Sequence, residues 1–462
     1  MPRRNLVVLF VVAIVSLICY QRTPRNRYGE TVARAIELVA RHALEPLPAD
    51  QLYEAAMSGM MAGLDDYSGF VPAERLQRFT EEIDQEFAGV GLEVRRDEKS
   101  GELIVGSPLV GSPAQRAGIR AGDRIVRIDE QPTRDLSLDD AVRLMRGRPG
   151  ARVTLALRRP GEDKERIVEL VREVVQVDTV LGCSRNADGS WNYLLPDHPQ
   201  IALTAISSFG KETAHELRRV LDDLSARGMK ALVLDVRDDR GGLLRAAIEV
   251  CDLFLEEGLI VTTRGRSSDQ VREEYRAQGN APFAHLLMAV LINGDTASAS
   301  EIVAACLQDH ARAAIVGQRS YGKGTVQEIF DLEPGRGALR LTTASYWRPS
   351  GKNIHRRRNA KPDEAWGVMP DEGLQVVFDS EQLQRWRQSR MRAASPAPPE
   401  STADEPAEPF VDLQLQAAVD YLLERLGEAP TRRAGEQPRT EAGGNAASVP
   451  TTEQSDEIAG PQ

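Results

Sequence analysis

Three hydrophobic periodicities follow one another along this chain. Residues 29–80 carry apolar positions at helical spacing, in TVARAIELVARHAL and in ADQLYEAAMSGMMAGL, which predicts two amphipathic helices. LDDYSGF then breaks the pattern. Between 82 and 175 the period drops to two: GLEVRRD, ELIVGSPL, DRIVRIDE and RVTLALRRP read as short strands divided by turns rich in Gly, Pro and Asp. One short helix, SLDDAVRLMRG, interrupts them, with Ser137 as its cap. From about 195 to 350 strands alternate with helices: IALTAISSF, TAHELRRVLDDLSARG, KALVLDVR, LLRAAIEVCDLFLEEG, LLMAVLIN, ASASEIVAACLQDH and AAIVG. That order predicts a layered α/β core. The boundaries that follow are a helical region at 28–81, a β-rich module at 82–175 and the α/β core at 176–390. A linker at 391–409, an amphipathic helix docked on the body at 410–427 and a disordered polar tail at 428–462 complete the chain.

Composition narrows the function classes. The chain has 462 residues, 41% hydrophobic, enough for two or three domains with real cores. A net charge of −11 argues against a nucleic-acid partner, and the one dense basic run, HRRRNAK, reads as a solvated loop. Four cysteines, Cys19, Cys183, Cys251 and Cys306, lack the spacing of a metal or redox motif, and no metal or other cofactor is expected. At the N-terminus two arginines precede an apolar run from Leu6 to Tyr20. As a helix it would span about 22 Å, short of a hydrocarbon core of roughly 30 Å. We read residues 1–25 as an uncleaved signal anchor in the inner membrane, with the rest of the chain on the periplasmic side.

GQRSYGKGTVQ, residues 317–327, places Lys323 between two glycines. It matches the start of a phosphate-binding loop, but Gly324 stands where such a loop needs Ser or Thr, and TVQEIFDL after it alternates like a strand. Lys323 can instead serve as a base if a nucleophile lies nearby. NGDTASASEIVAACLQDH supplies one: a strand ends at Asn293, a tight turn follows, and serines occupy the first turn of a helix, near unpaired N–H groups and the positive end of the helix dipole. Taken alone, Thr296, Ser298 and Ser300 read as caps. In LDVRDDRGGLL a buried strand runs into Gly241–Gly242, a pair that lets backbone N–H groups approach a ligand. A Ser-His-Asp arrangement finds no support among the six histidines, since no G-x-S-x-G elbow occurs.

Together these segments resemble the C-terminal processing, or tail-specific, peptidases. The resemblance rests on INGDTASASEI, QRSYGKGTVQ, LDVRDDRGGLL and GVGLEV…SPLVGSPAQRAGIRAGDRIVRIDEQPT, flanked by MMAGLDDYSGF, ALRLTTASYWRPSGKNIH and GVMPDEGLQV. It covers about residues 30–380. It implies a layered crotonase/ClpP-like α/β protease core with an inserted PDZ domain and a helical N-terminal region. It also implies a Ser–Lys dyad: Ser298 as nucleophile, Lys323 as base, and Gln327 orienting the lysine. Gly241 or Gly242, with Ala299, would form the oxyanion hole. Thr296 replaces a serine common in relatives, and RRRNAKPDEAW is an insertion without an assigned role. GVGL, Gly89, Val90, Gly91 and Leu92, would be the carboxylate-binding loop of the PDZ domain, capturing apolar C-terminal tails of protein substrates by strand addition. An oligomer or an activator is left open. The alternative is an inactive peptide-binding scaffold.

The chemistry sets its own demands. Free lysine titrates near 10.4 and is charged at neutral pH, so a catalytic lysine must be buried. Lowering it to about 7 takes roughly 4 kcal/mol. Contact between Lys323 and Gln327 needs a bend in the chain, which Gly322 and Gly324 permit. In the helix of the β-rich module, Leu138, Val142 and Met145 form one apolar face and Ala141 and Leu144 another; one of them packs inward.

Overall fold

The structure is a computed structural model. It describes residues 27–428 apart from 46, 77–85, 98–99, 110, 163, 187–188, 267–270, 362–363 and 395–409, together with four isolated positions before residue 27. The expected anchor and tail lie outside the described residues, and so does most of the linker. No helix among the described residues is long and apolar enough to cross a membrane.

The core is a sheet whose strands His198–Ile206, Ala231–Asp235, Leu287–Ile292 and Ala314–Gly317 run parallel in that spatial order. Both faces are covered, which is why these segments read as continuous apolar runs rather than alternating ones. Leu232, Leu234, Val290 and Ile292 point toward the helices Thr213–Ala226, Leu244–Asp252 and Ala299–Asp309. Val233, Ala289 and Leu291 point the other way and meet Ala418, Leu422 and Leu423 of the helix Leu413–Leu426, capped by Asp412 and ended by left-handed Gly427. The helix Leu244–Asp252 stops well before the end of LLRAAIEVCDLFLEEG, because Leu253–Leu255 turn their side chains into the core instead.

A second, antiparallel sheet carries the lysine segment. The strand Thr325–Asp331 pairs with Ala338–Trp347, which also takes Leu259–Arg264 and, from the N-terminal region, Gly69–Val71. Here the fold differs from a simple chain-order arrangement: LDDYSGF, an apparent interruption, is stitched to Ala338–Trp347, the strand that also partners Thr325–Asp331.

The β-rich module is a six-stranded antiparallel sheet, Leu92–Arg96, Leu103–Pro108, Arg124–Ile128, Arg152–Arg158 and Arg166–Val171 in spatial order with the short Gln131–Pro132 paired to Arg124–Ile128, around its own core of Val90, Leu103, Ile125, Ile128, Leu155 and Leu170. The strand Arg166–Val171, together with Glu86–Gly89 paired to Glu173–Gln176, had no counterpart among the sequence-derived strands. The helix Leu138–Met145 starts where Ser137 Oγ accepts the Asp140 N–H, 3.1 Å. Its inward face is Ala141 and Met145, one from each expected face, because the i, i+4 pair nearest the sheet decides burial. Leu138 is exposed, and Val142 is partly buried at the edge of the module's core. Finally, an unexpected helix, Ser380–Ala394, packs over the carboxyl ends of the parallel strands through Trp386, its only buried residue. It extends past the point where the linker was expected to begin.

Candidate active site

The strand Leu287–Ile292 ends at a turn that is almost wholly consumed by its own hydrogen bonds. Asn293 Oδ1 accepts the N–H groups of Asp238 and Asp295, at 3.0 and 3.1 Å. Thr296 Oγ1 donates to the Val236 carbonyl (2.8 Å) and accepts the Asn293 N–H (2.9 Å). Ser300 Oγ donates to the Asp239 carbonyl, 3.1 Å. The hydroxyls flanking Ser298 are therefore structural. Ser298 itself takes φ +59°, ψ −116°, a conformation disfavoured for a residue with a Cβ, and begins the helix Ala299–Asp309. His310 lies at the far end of that helix, with Nε2 2.7 Å from the Leu259 carbonyl.

Glu301 joins this turn to the lysine loop. Its Oε2 accepts the backbone N–H of Ser298 at 2.9 Å and that of Lys323 at 2.8 Å. Its Oε1 accepts Ser320 Oγ (2.5 Å) and the Gly322 N–H (2.7 Å). One carboxylate oxygen thus holds Ser298 and Lys323 by their main chains. Glu301 is fully buried, and burial pushes its carboxyl up to about 7 against the lowering effect of those four donors. The sequence signal for this residue was present in S-x-x-E, the return limb of a capping box, but the tie to the lysine loop is tertiary.

Lys323 is half-buried. Burial holds its amine below the ordinary lysine value, the positive charge of Arg340 adds to the effect, and Glu301 opposes it. Nζ lies 5.1 Å from the ring centroid of Tyr67. Tyr67 belongs to LDDYSGF, whose turn is tied down by Asp65: Oδ1 accepts the N–H groups of Tyr67 (2.8 Å) and Ser68 (2.9 Å) and the Thr342 hydroxyl (2.9 Å). Among the described residues no hydrogen bond joins Lys323 Nζ to Gln327. The Gln327 amide donates instead to Thr325 Oγ1 (2.9 Å) and Thr342 Oγ1 (3.3 Å), so it meets the same threonine as Asp65. The bend expected from Gly322 and Gly324 is joined by a register shift between Val326 and Gln327. The insertion packs on this loop: Arg319 and Arg356 both lie over the Trp366 ring, and the Arg356 N–H donates to the Gly322 carbonyl, 2.8 Å.

The two glycines differ. The Gly241 N–H is spent on Asp239 Oδ1, 2.8 Å. A Cβ at Gly241 would sit 2.8 Å from the Ala297 carbonyl, the Ala299 N and Ser298 Cβ, so only glycine lets this loop touch the nucleophile turn. The Gly242 N–H has no partner among the described hydrogen bonds, and Gly242 itself lies against the Phe209 backbone, next in the chain to the glycine that touches the Ser298 turn. Arg387 clamps loop and turn from outside, reaching Asp238 (2.5 Å) and Asp295 (2.7 Å). Beneath them Arg237, buried, pairs with Asp235 and with Asp412 of the C-terminal helix cap.

In the β-rich module the carbonyls of Val90 and Gly91 are tied to the N–H groups of Ala114 (3.0 Å) and Leu109 (2.9 Å). The N–H groups of Val90 and Gly91 have no partner among the described hydrogen bonds, Gly89 ends one strand and Leu92 opens the next. The loop lies beside Ser112 and the helix Leu138–Met145, whose last carbonyls, Leu144 and Met145, are held by Arg172.

Comparison with known proteins identifies the family. Residues 200–372 match the model of peptidase family S41 and residues 104–159 that of the PDZ domain. The chain is 37% identical over 350 residues to a carboxy-terminal-processing protease of Bartonella bacilliformis, covering 75% of this chain and 74% of that protein. It is 32% identical to carboxy-terminal processing protease CtpA of Bacillus subtilis, over 75% and 71% of the two chains. Among solved structures it is similar to a photosystem II D1 C-terminal processing protease, at 29% identity and TM-score 0.41, covering 79% of this chain and 96% of that one. The chain belongs to the carboxy-terminal processing proteases of peptidase family S41, serine-type peptidases with a PDZ domain.

Proposed function

We propose that this protein is an endopeptidase that selects protein substrates by apolar C-terminal tails and cleaves them with a Ser298–Lys323 dyad. The observation that carries the reading is Glu301, one buried carboxylate holding the main chains of both residues. In the reaction neutral Lys323 leaves the face of Tyr67, takes the Ser298 proton as the hydroxyl attacks the scissile carbonyl, and returns it to the leaving amine. The N–H groups of Gly242 and Ala299 receive the oxyanion, and water then resolves the acyl-enzyme. Gln327 acts through Thr342, which orients the lysine strand against the Asp65 turn. The free N–H groups of Val90 and Gly91 take the tail carboxylate, with Leu138 and Val142 lining its groove. The N-terminal segment anchors the enzyme to the inner membrane and places this chemistry in the periplasm.

Labelling with a fluorophosphonate and digestion of an unfolded protein with an apolar tail test the reading. Wild type is expected to label at Ser298 and to cleave. Ser298→Ala and Lys323→Ala are expected to lose cleavage. Undiminished cleavage by either variant overturns the dyad, and cleavage indifferent to the tail overturns the capture step.

A further inference from the structure

Asp239 is a buried acid that the reaction as described leaves unused. It is 1% exposed, between the glycine loop and the nucleophile turn. Oδ1 accepts the Gly241 N–H at 2.8 Å, and its main-chain carbonyl accepts the Ala297 N–H at 2.9 Å and Ser300 Oγ at 3.1 Å. Among the described residues Oδ2 has no hydrogen-bond partner.

The surrounding charges are committed elsewhere. On its own loop Asp235 pairs with Arg237, Asp238 with Arg387, and Arg240 is exposed and faces Asp295. From the nucleophile turn and helix, Asp295 also takes Arg387 and Glu301 takes its four donors. Among the described residues no cation pairs with Asp239. An ionised carboxylate with a bare oxygen in such a place is costly, whereas a neutral one accepts the same Gly241 bond at little cost.

We propose that Asp239 is a positioning residue for the oxyanion site that works as a neutral carboxylic acid, its Oδ1 fixing the Gly241 peptide so that the Gly242 and Ala299 N–H groups converge. Burial agrees, pushing the carboxyl up to about 8. Ionisation would set a second negative charge beside the developing oxyanion, in a site with little water to screen it. The inference rests on the Ser298–Lys323 reading.

The test compares wild type, Asp239→Asn and Asp239→Leu with Ser298→Ala as control, in cleavage of a fluorogenic peptide from pH 6 to 9. Asparagine keeps the acceptor and cannot ionise. The rate of Asp239→Asn relative to wild type is expected to rise about tenfold between pH 7 and pH 9, as titration near 8 requires. Other titrations cancel in that ratio. Asp239→Leu is expected to lower kcat at every pH with little change in KM. The thermal midpoint of wild type is expected to fall relative to Asp239→Asn as pH rises from 4 to 8, since the folded state holds the proton over that window. A ratio flat in pH, with cleavage still dependent on Ser298, overturns this inference alone. Cleavage by Ser298→Ala equal to wild type overturns the dyad and the catalytic part of this inference with it, while the thermal midpoints still report whether the acid is neutral.

Discussion

At Ser298 a main-chain conformation disfavoured for any residue with a Cβ is held because its N–H is bonded to Glu301, three residues on. That carboxyl titrates near 7, above its ordinary 4.5, so the folded state keeps an extra proton between those values. The stability this contributes is complete below pH 4.5 and is lost as pH rises through about 7. Glu301→Gln cannot titrate. Denaturation in urea from pH 4 to 8 is therefore expected to show the stability of wild type falling relative to the variant as pH rises. A flat or rising difference would mean that the four donors, and not burial, set its proton affinity. Tyr67 acts on the other partner. An aromatic face near the ammonium favours the charged lysine by about 0.5–1 kcal/mol, against the burial that disfavours it. Tyr67→Leu is expected to move the acid limb of kcat/KM down by about half a pH unit, and Tyr67→Phe to leave it in place. A limb that moves equally in both would assign the effect to the phenol and not to the ring.

At the scale of elements, the catalytic pieces come from four segments, each fixed by a different device. The nucleophile turn is closed by Asn293 and Thr296, the lysine loop by Glu301, the glycine loop by Asp239, and the LDDYSGF turn by Asp65. The helix Ser380–Ala394 adds a clamp: Arg387 spans the glycine loop and the nucleophile turn through Asp238 and Asp295. Small displacements of reacting groups are expensive. Arg387→Ala is expected to reduce kcat about tenfold or more, with a far smaller change in the denaturation midpoint, because the pair is partly exposed. Unchanged kcat would remove the clamp from the mechanism. The elements were largely legible as segments. Continuous apolar runs marked the core strands, helical apolar spacing the helix Thr213–Ala226, and the Ser137 cap the helix Leu138–Met145. The helix Ser380–Ala394 was not, because it is mostly polar and buries one residue, so it lacks the apolar stripe that periodicity detects.

For the molecule as a whole, the parallel sheet is a wall between two cores, with the nucleophile helix on one side and the helix Leu413–Leu426 on the other. Removing packing from the side remote from the site should therefore destabilise the whole core. Leu422 is fully buried there, and Leu422→Ala is expected to cost about 2–5 kcal/mol in urea denaturation. A loss near zero would show that this helix is dispensable to the body. Local pattern alone determined the sequence of helical, β-rich and α/β regions, because turns, caps and apolar periods are short-range properties of the chain, and the family resemblance carried by the motifs singled out Ser298, Lys323 and the glycine pair. Which hydroxyl is left free, which glycine keeps a free N–H, where Gln327 directs its amide, and that Glu301, Tyr67 and Asp239 belong to the site were decided only by the tertiary structure. Those assignments depend on which buried donors and acceptors meet across segments tens to hundreds of residues apart, and no local pattern encodes that pairing.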